Sequence, residues 1–288
     1  MDKQLVECNA EFSVEFILAA PYAYWLHKNR LLSETISVKD SKSMYFFSEN
    51  HTEKYARREI DNGLAGLNKL PNNWLHHNPA VSNDRAGILD FTQWEFPPYK
   101  EHFKNDIFVW DKPLCIISTK YAAEWNGMPT NFLDIKTLYA LFDYLTDDYT
   151  VVYKRPKNTD YPADQNELNP VGDIHGLIPR IGIINDYDLA RRMGVLVFRD
   201  LLEVHKDVSY NELQFKLYAN CEKFITTQGG SSTIAGAFGN QNINFIKRGK
   251  ELRDHYHDEG GWYNRMNGCE VTQTSDYNEL INLVKEIY

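Results

Sequence analysis

The sequence predicts an α/β fold of two halves facing a cleft, and three observations predict it. The first is the stretch Phe224-Ile225-Thr226-Thr227-Gln228-Gly229-Gly230-Ser231-Ser232-Thr233-Ile234-Ala235-Gly236-Ala237-Phe238, a β-rich run entering two glycines and then an apolar helical pattern. The second is a strand–helix alternation from Pro113 to Tyr288, which implies a mostly parallel sheet covered on both faces. The third is 288 residues with 43% hydrophobic and 14% aromatic content, ample for folded cores and unlike a disordered chain.

In the first half, Val14 to Ala20 reads as a buried strand. Pro21 suits a helix first turn, with the helix over Tyr22 to Leu32. Thr35 to Val38 and Met44 to Phe47 read as strands, Arg57 to Leu67 as a helix, Leu70 to Pro79 as a loop, and Ile88 to Phe91 as a strand. Pro97 and Pro98 then deny ladder donors to any central strand, so the crossing falls near 95–112. The expected division is a first α/β unit over 1–105 and a second unit over 106–288, its last helix free to pack back on the first.

The second half has a cleaner rhythm. Strands are expected at Pro113 to Ser118, Tyr149 to Tyr153, Val195 to Phe198, Phe224 to Thr227 and Asn242 to Ile246. Helices are expected at Asp134 to Leu145 (Asp134 as N-cap), Tyr210 to Glu222, Ser231 to Phe238 and Asp276 to Tyr288. There is no internal repeat.

The net charge of −9 disfavours nonspecific nucleic-acid binding. Cys8, Cys115, Cys221 and Cys269 show no close pairing, as suits independent reduced thiols. No apolar run is long enough to span a membrane, and the stretch from Phe16 to Trp25 lacks a basic leader. A cytoplasmic protein is expected.

The glycine turn carries the sharpest chemistry. Two glycines let a ligand approach the backbone, Ser231 and Ser232 are capping residues, and the N–H groups of a helix start favour an anion such as phosphate. A tight strand-to-helix connection is the plainer reading of Gln228, Gly229 and Gly230. Lys154-Arg155 ends a strand with two cations, and Arg155 can hold a phosphate bidentately; a solvated strand end is the alternative. Lys120 opens a polar-aromatic loop toward Glu124 and Trp125. Glu203, with Arg199-Asp200, follows a strand where a carboxylate could bind ribose hydroxyls; an acid favoured by a helix start is the alternative. Asp90 and Glu95, beside the crossing, are candidate bases; His27 reads as packed or exposed. Asp186-Tyr187-Asp188 resembles a metal-binding Asp-x-Asp pair but fits a helix start better. His255 and His257 lack an evident third ligand. No metal or cofactor is expected.

Lys112 to Ile117 with Lys120-Tyr121, Tyr149 to Pro156 and Thr227 to Ser232 together resemble the carboxyl half of a two-Rossmann, GT-B type glycosyltransferase. The likeness is to the small glycosyltransferases of large DNA viruses, including chlorella-virus capsid-glycan enzymes. It covers roughly 110–250, and the first half in outline. The resemblance implies a UDP- or GDP-sugar donor in the second unit and a glycan or glycoprotein acceptor in the first. It implies that Arg155 and the turn from Gln228 to Ser232 contact the donor phosphates. The Glu-x7-Glu pair of retaining families is not evident. A noncatalytic nucleotide- or sugar-binding protein, or another α/β transferase or epimerase, are competing readings.

Overall fold

A computed structural model describes residues 2–58, 91–123, 127–156, 171–249, 266 and 268–288. Their strands, in chain order, are β1 (Gln4–Glu7), β2 (Leu32–Val38), β3 (His51–Tyr55), β4 (Leu114–Ser118), β5 (Thr150–Lys154), β6 (His175–Ile178), β7 (Gly182–Asn185), β8 (Leu196–Val197), β9 (Lys223–Thr227), β10 (Gln241–Phe245) and β11 (Glu270–Thr274). They form a three-stranded sheet in the order β1-β2-β3, a six-stranded sheet in the order β11-β10-β9-β4-β5-β8, and the two-stranded pair β6-β7. Both larger sheets are parallel throughout. The six-stranded order grows outward in both directions from the neighbours β4 and β9, as in doubly wound Rossmann-like folds.

Strand parity sets the layers. Ile116, Val152 and Phe224 point into one buried cluster with the Tyr210–Ala219 and Gly230–Phe238 helices. Cys115, Ile117, Val151, Tyr153, Ile225 and Phe245 point into another, covered by the Ile135–Leu145, Asp186–Arg192 and Tyr277–Ile287 helices. Side-chain caps close several helix starts: Asp134 accepts from the Thr137 N–H, Asn185 from that of Asp188, Ser209 from that of Glu212, and Asp276 from those of Asn278 and Glu279.

The first cluster also holds the first sheet. Val6, Phe16 and Val38 share it with Phe215 and Phe238. Phe16 stacks on Tyr99 at 5.0 Å, Tyr99 lies 5.3 Å from Phe215, and Phe215 lies 5.4 Å from Phe238. The polypeptide crossing, with its Tyr99–Phe103 helix, runs through this junction.

Two expected strands are corrected. Val14 to Ala20 is helical, within a continuous run of Phe12–Val14, a π-turn over Glu15–Ala19, and Ala20–Lys28. Every residue from Val14 to Ala20 is buried, and a helix buried all round reads as an unbroken apolar run, as a buried strand does. Met44 to Phe47 is a series of turns, with the Met44 N–H donating to the Ser41 carbonyl and the Ser48 N–H to that of Tyr45. At Ile88 to Phe91, the described part is the start of a 3₁₀ turn over Phe91–Gln93. The expected helix at Arg57 to Leu67 lies almost wholly outside the described residues, and the loop at Leu70 to Pro79 entirely so. No described helix is long and apolar enough to cross a membrane.

Candidate functional site

A cleft opens where the carboxyl ends of β4 and β9 diverge, the place at which open parallel sheets take ligands. Glu11, Phe12, Ser13, Lys120, Lys154, Tyr210, Gln214 and the residues from Gln228 to Ser231 are among those lining it. The chain leaving β1 in the first sheet thus meets the glycine turn of the second.

The turn is built around Gly229, at φ 122° and ψ −155°. Only glycine holds this conformation without strain. The helix starts at Gly230 and no side chain caps it. Ser231 and Ser232, expected as caps, stand inside the first turn instead. Ser231 Oγ accepts from Ser118 Oγ at 3.0 Å, tying the helix start to the end of β4, and Ser232 Oγ accepts from Asn242 Nδ2 at 3.3 Å. Gln228 is equally committed: its Oε1 accepts from Asn244 Nδ2 at 2.6 Å, and its N–H donates to the Phe245 carbonyl. With these side chains engaged, the turn offers its backbone N–H groups and the helix dipole, together with the Ser231 hydroxyl, to the cleft.

Two cations flank it. Lys120 Nζ lies 3.5 Å from where a Cβ on Gly229 would stand, and the Lys120 N–H donates to Thr227 Oγ1 at 3.3 Å. Lys154 is 4% exposed. Its ammonium donates to Gln214 Oε1 and lies 5.4–5.7 Å from the ring centres of Phe198, Tyr210 and Tyr218, within cation–π range.

Arg155 is elsewhere than expected. Alternation at the end of β5 sends Lys154 to the cleft side, with Val152, and Arg155 to the opposite layer, with Tyr153. There its Nε donates to Asp186 Oδ2 at 2.5 Å, and its second amino group donates to Asp186 Oδ1 at 3.0 Å and to Asp173 at 2.6 Å. Its guanidinium also stacks 4.5 Å from the Tyr187 ring centre. Burial opposes the charge, and the Asp186 carboxylate more than offsets it, raising the Arg155 pKa above its ordinary value. Asp186 is thus the buried partner of an arginine and begins a helix, while Asp188 stands exposed beside Arg191. Among the described residues no acidic, histidine or cysteine group has a metal-site arrangement.

Glu203 lies in a separate charged depression with Asp188, Arg191, Arg199 and Asp200. Glu95 pairs with Lys28 at 3.7 Å and lines no wall of the cleft. Asp90, Glu124, Trp125, His255 and His257 lie outside the described residues. The structure therefore brings together Lys120, Gln228, Gly229, Gly230 and Ser231 from the expected set, with Ser232 buried just behind, and adds Glu11, Ser13, Lys154, Tyr210 and Gln214. The parity of Lys154-Arg155 is not readable from Tyr149 to Tyr153, because both faces of β5 are buried and apolar. Glu11 follows a four-residue strand too short and polar to stand out.

The Glu11 loop is firmly held. Its Ala10 carbonyl accepts from the buried Arg58 at 2.9 Å, and Arg58 also pairs with the buried Glu15 of the π-turn. Glu15 further accepts from Tyr45 at 2.8 Å and from Ser37.

Comparison with known families, curated proteins and solved structures found no match to any of them.

Proposed function

We propose that the cleft binds the diphosphate of a nucleotide sugar, and that the protein is a glycosyltransferase passing the sugar to a glycan hydroxyl. The observation that carries this reading is the uncapped helix start behind Gly229, at the point where the sheet order reverses, flanked by Lys120 and Lys154. Helix dipole and two ammonium groups suit a group with two negative charges. The meeting of the carboxyl ends of two parallel sheets supports a GT-B type arrangement, with the donor on the second sheet and the acceptor entering from the first. The cleft's volume of about 180 Å³ is below the roughly 300–1,000 Å³ of pockets that enclose a whole ligand. It suits the diphosphate end, with nucleoside and sugar extending along the rim.

Calorimetric titration of UDP and GDP tests this. One of them is expected to bind, and Lys154→Met to weaken it ten- to hundredfold, the worth of a charge-assisted contact of about 1.5–3 kcal/mol. Absence of binding by both, or an unchanged affinity in folded Lys154→Met and Lys120→Met, defeats the proposal.

A further inference from the structure

The geometry points to Glu11 as the general base of the transfer, and to a single displacement that inverts the anomeric centre. This rests on the reading of the cleft as a nucleotide-sugar site. Among the described residues lining the cleft, Glu11 is the one carboxylate. It sits on the wall opposite the glycine turn. A Cβ on Gly230 would stand 3.7 Å from the Phe12 ring and 3.9 Å from Ser13 Oγ, so the Glu11 loop and the helix start are in near contact. Ser13 Oγ donates to Glu11 Oε1 at 3.1 Å, which orients the carboxylate and leaves its second oxygen for a substrate. The Arg58 contact to Ala10 and the Arg58–Glu15 pair fix the backbone on which Glu11 stands. A base must be held within hydrogen-bond reach of the proton it takes.

The two cleft walls divide the work. On one side, the helix start and two lysines attract the leaving group. On the other, a lone carboxylate repels the diphosphate and suits a neutral hydroxyl. In the step, the acceptor hydroxyl gives its proton to Glu11 and its oxygen bonds to the anomeric carbon. The bond from that carbon to the diphosphate breaks, its electron pair leaving with the nucleoside diphosphate. Atoms and charge balance without a further reagent. The single carboxylate of the described wall supplies the one base that a single displacement needs.

The test uses the full chain with UDP-glucose, UDP-galactose, GDP-mannose and GDP-fucose, water serving as acceptor where no glycan acceptor works. Binding of UDP and GDP is measured beside turnover, and the configuration of the released sugar is read by NMR before it mutarotates. Glu11→Gln is expected to bind nucleoside diphosphate as tightly as the wild type or more so, and to turn over 10²–10⁴-fold more slowly. Glu11→Asp is expected to fall between them, and the product to be inverted. Turnover of Glu11→Gln within threefold of the wild type overturns the assignment, as does a retained product. So does an inactive Asp90→Asn beside an active Glu11→Gln. A wild type that binds UDP or GDP yet turns over none of the four sugars overturns the base while leaving the binding site standing. A wild type that binds neither nucleotide defeats the cleft reading itself.

Discussion

Replacing Arg155 by alanine is expected to unfold the protein more readily while leaving nucleotide binding intact. Arg155 is 3% exposed and Asp186 is fully buried. Without the guanidinium, the Asp186 carboxylate keeps the Tyr153 hydroxyl at 2.7 Å and the Ile174 N–H at 3.3 Å, too little to balance a charge removed from water. Removing one partner of such a pair costs about 3–5 kcal/mol. At about 2–4 °C per kcal/mol for a domain of this size, the melting temperature is expected to fall by roughly 6–20 °C. Urea unfolding followed by circular dichroism measures the loss. The double variant Arg155→Met with Asp186→Leu is expected to regain most of it, because burying neither charge is often as stable as burying both. If Arg155→Ala is as stable as the wild type but loses nucleotide affinity, the ion pair is not the role of Arg155 and the cleft has been drawn on the wrong side of β5.

Gly229→Ala is expected to cost about 1–3 kcal/mol of stability, because φ 122° is closed to a side chain, and to weaken nucleotide binding; equal stability by thermal melting would contradict the turn geometry. Burial pushes the Asp40 carboxyl up to about 6 from 3.8, against hydrogen bonds from Ser209 and the Asn211 N–H. The folded state thus holds the Asp40 proton more tightly, a contribution present below about pH 4 and lost as pH rises through 6. The stability of Asp40→Asn relative to the wild type is therefore expected to rise by up to about 3 kcal/mol between pH 4 and 7; a difference that does not vary with pH would count against it. Turnover is expected to persist in excess chelator, since helix start and lysines supply positive charge for the leaving group. Complete loss, restored by manganese or magnesium, would show a metal requirement.

The second half of the fold was legible because its signals are local. β4 and the centre of β5 are short apolar runs, and the helix capped by Asp134 begins where its capping residue stands. The glycine turn was legible for the same reason. The first half was harder. The Val14 to Ala20 run carries Glu15, whose partners Ser37, Tyr45 and Arg58 are 22 to 43 residues away, so nothing nearby explains a buried acid in a helix. β1, β3 and β11 carry polar or charged residues, as in Gln4–Glu7, His51–Tyr55 and Glu270–Thr274, and lack the apolar signature of a buried strand. At the site, the sequence located both cations at the end of β5, but the choice between Lys154 and Arg155 turns on one step of alternation. Glu11 could be found only once β1 had been laid against β2.

The aromatic junction between the two sheets bears on how substrates come and go. Phe16, Tyr99, Phe215 and Phe238 interlock across it, and burying a side chain of this size contributes about 1.5–3 kcal/mol. A hinge opening between two lobes would have to part several of these rings at once. The cleft is accordingly a standing slot whose jaws are set at folding. A nucleotide bound as proposed would then need no ordering of lobes, and the radius of gyration in small-angle scattering is expected to be the same with ligand and without. On the proposed reading, the width of the slot, set by Phe16, Phe215 and Phe238 outside its lining, becomes a determinant of which sugars can pass.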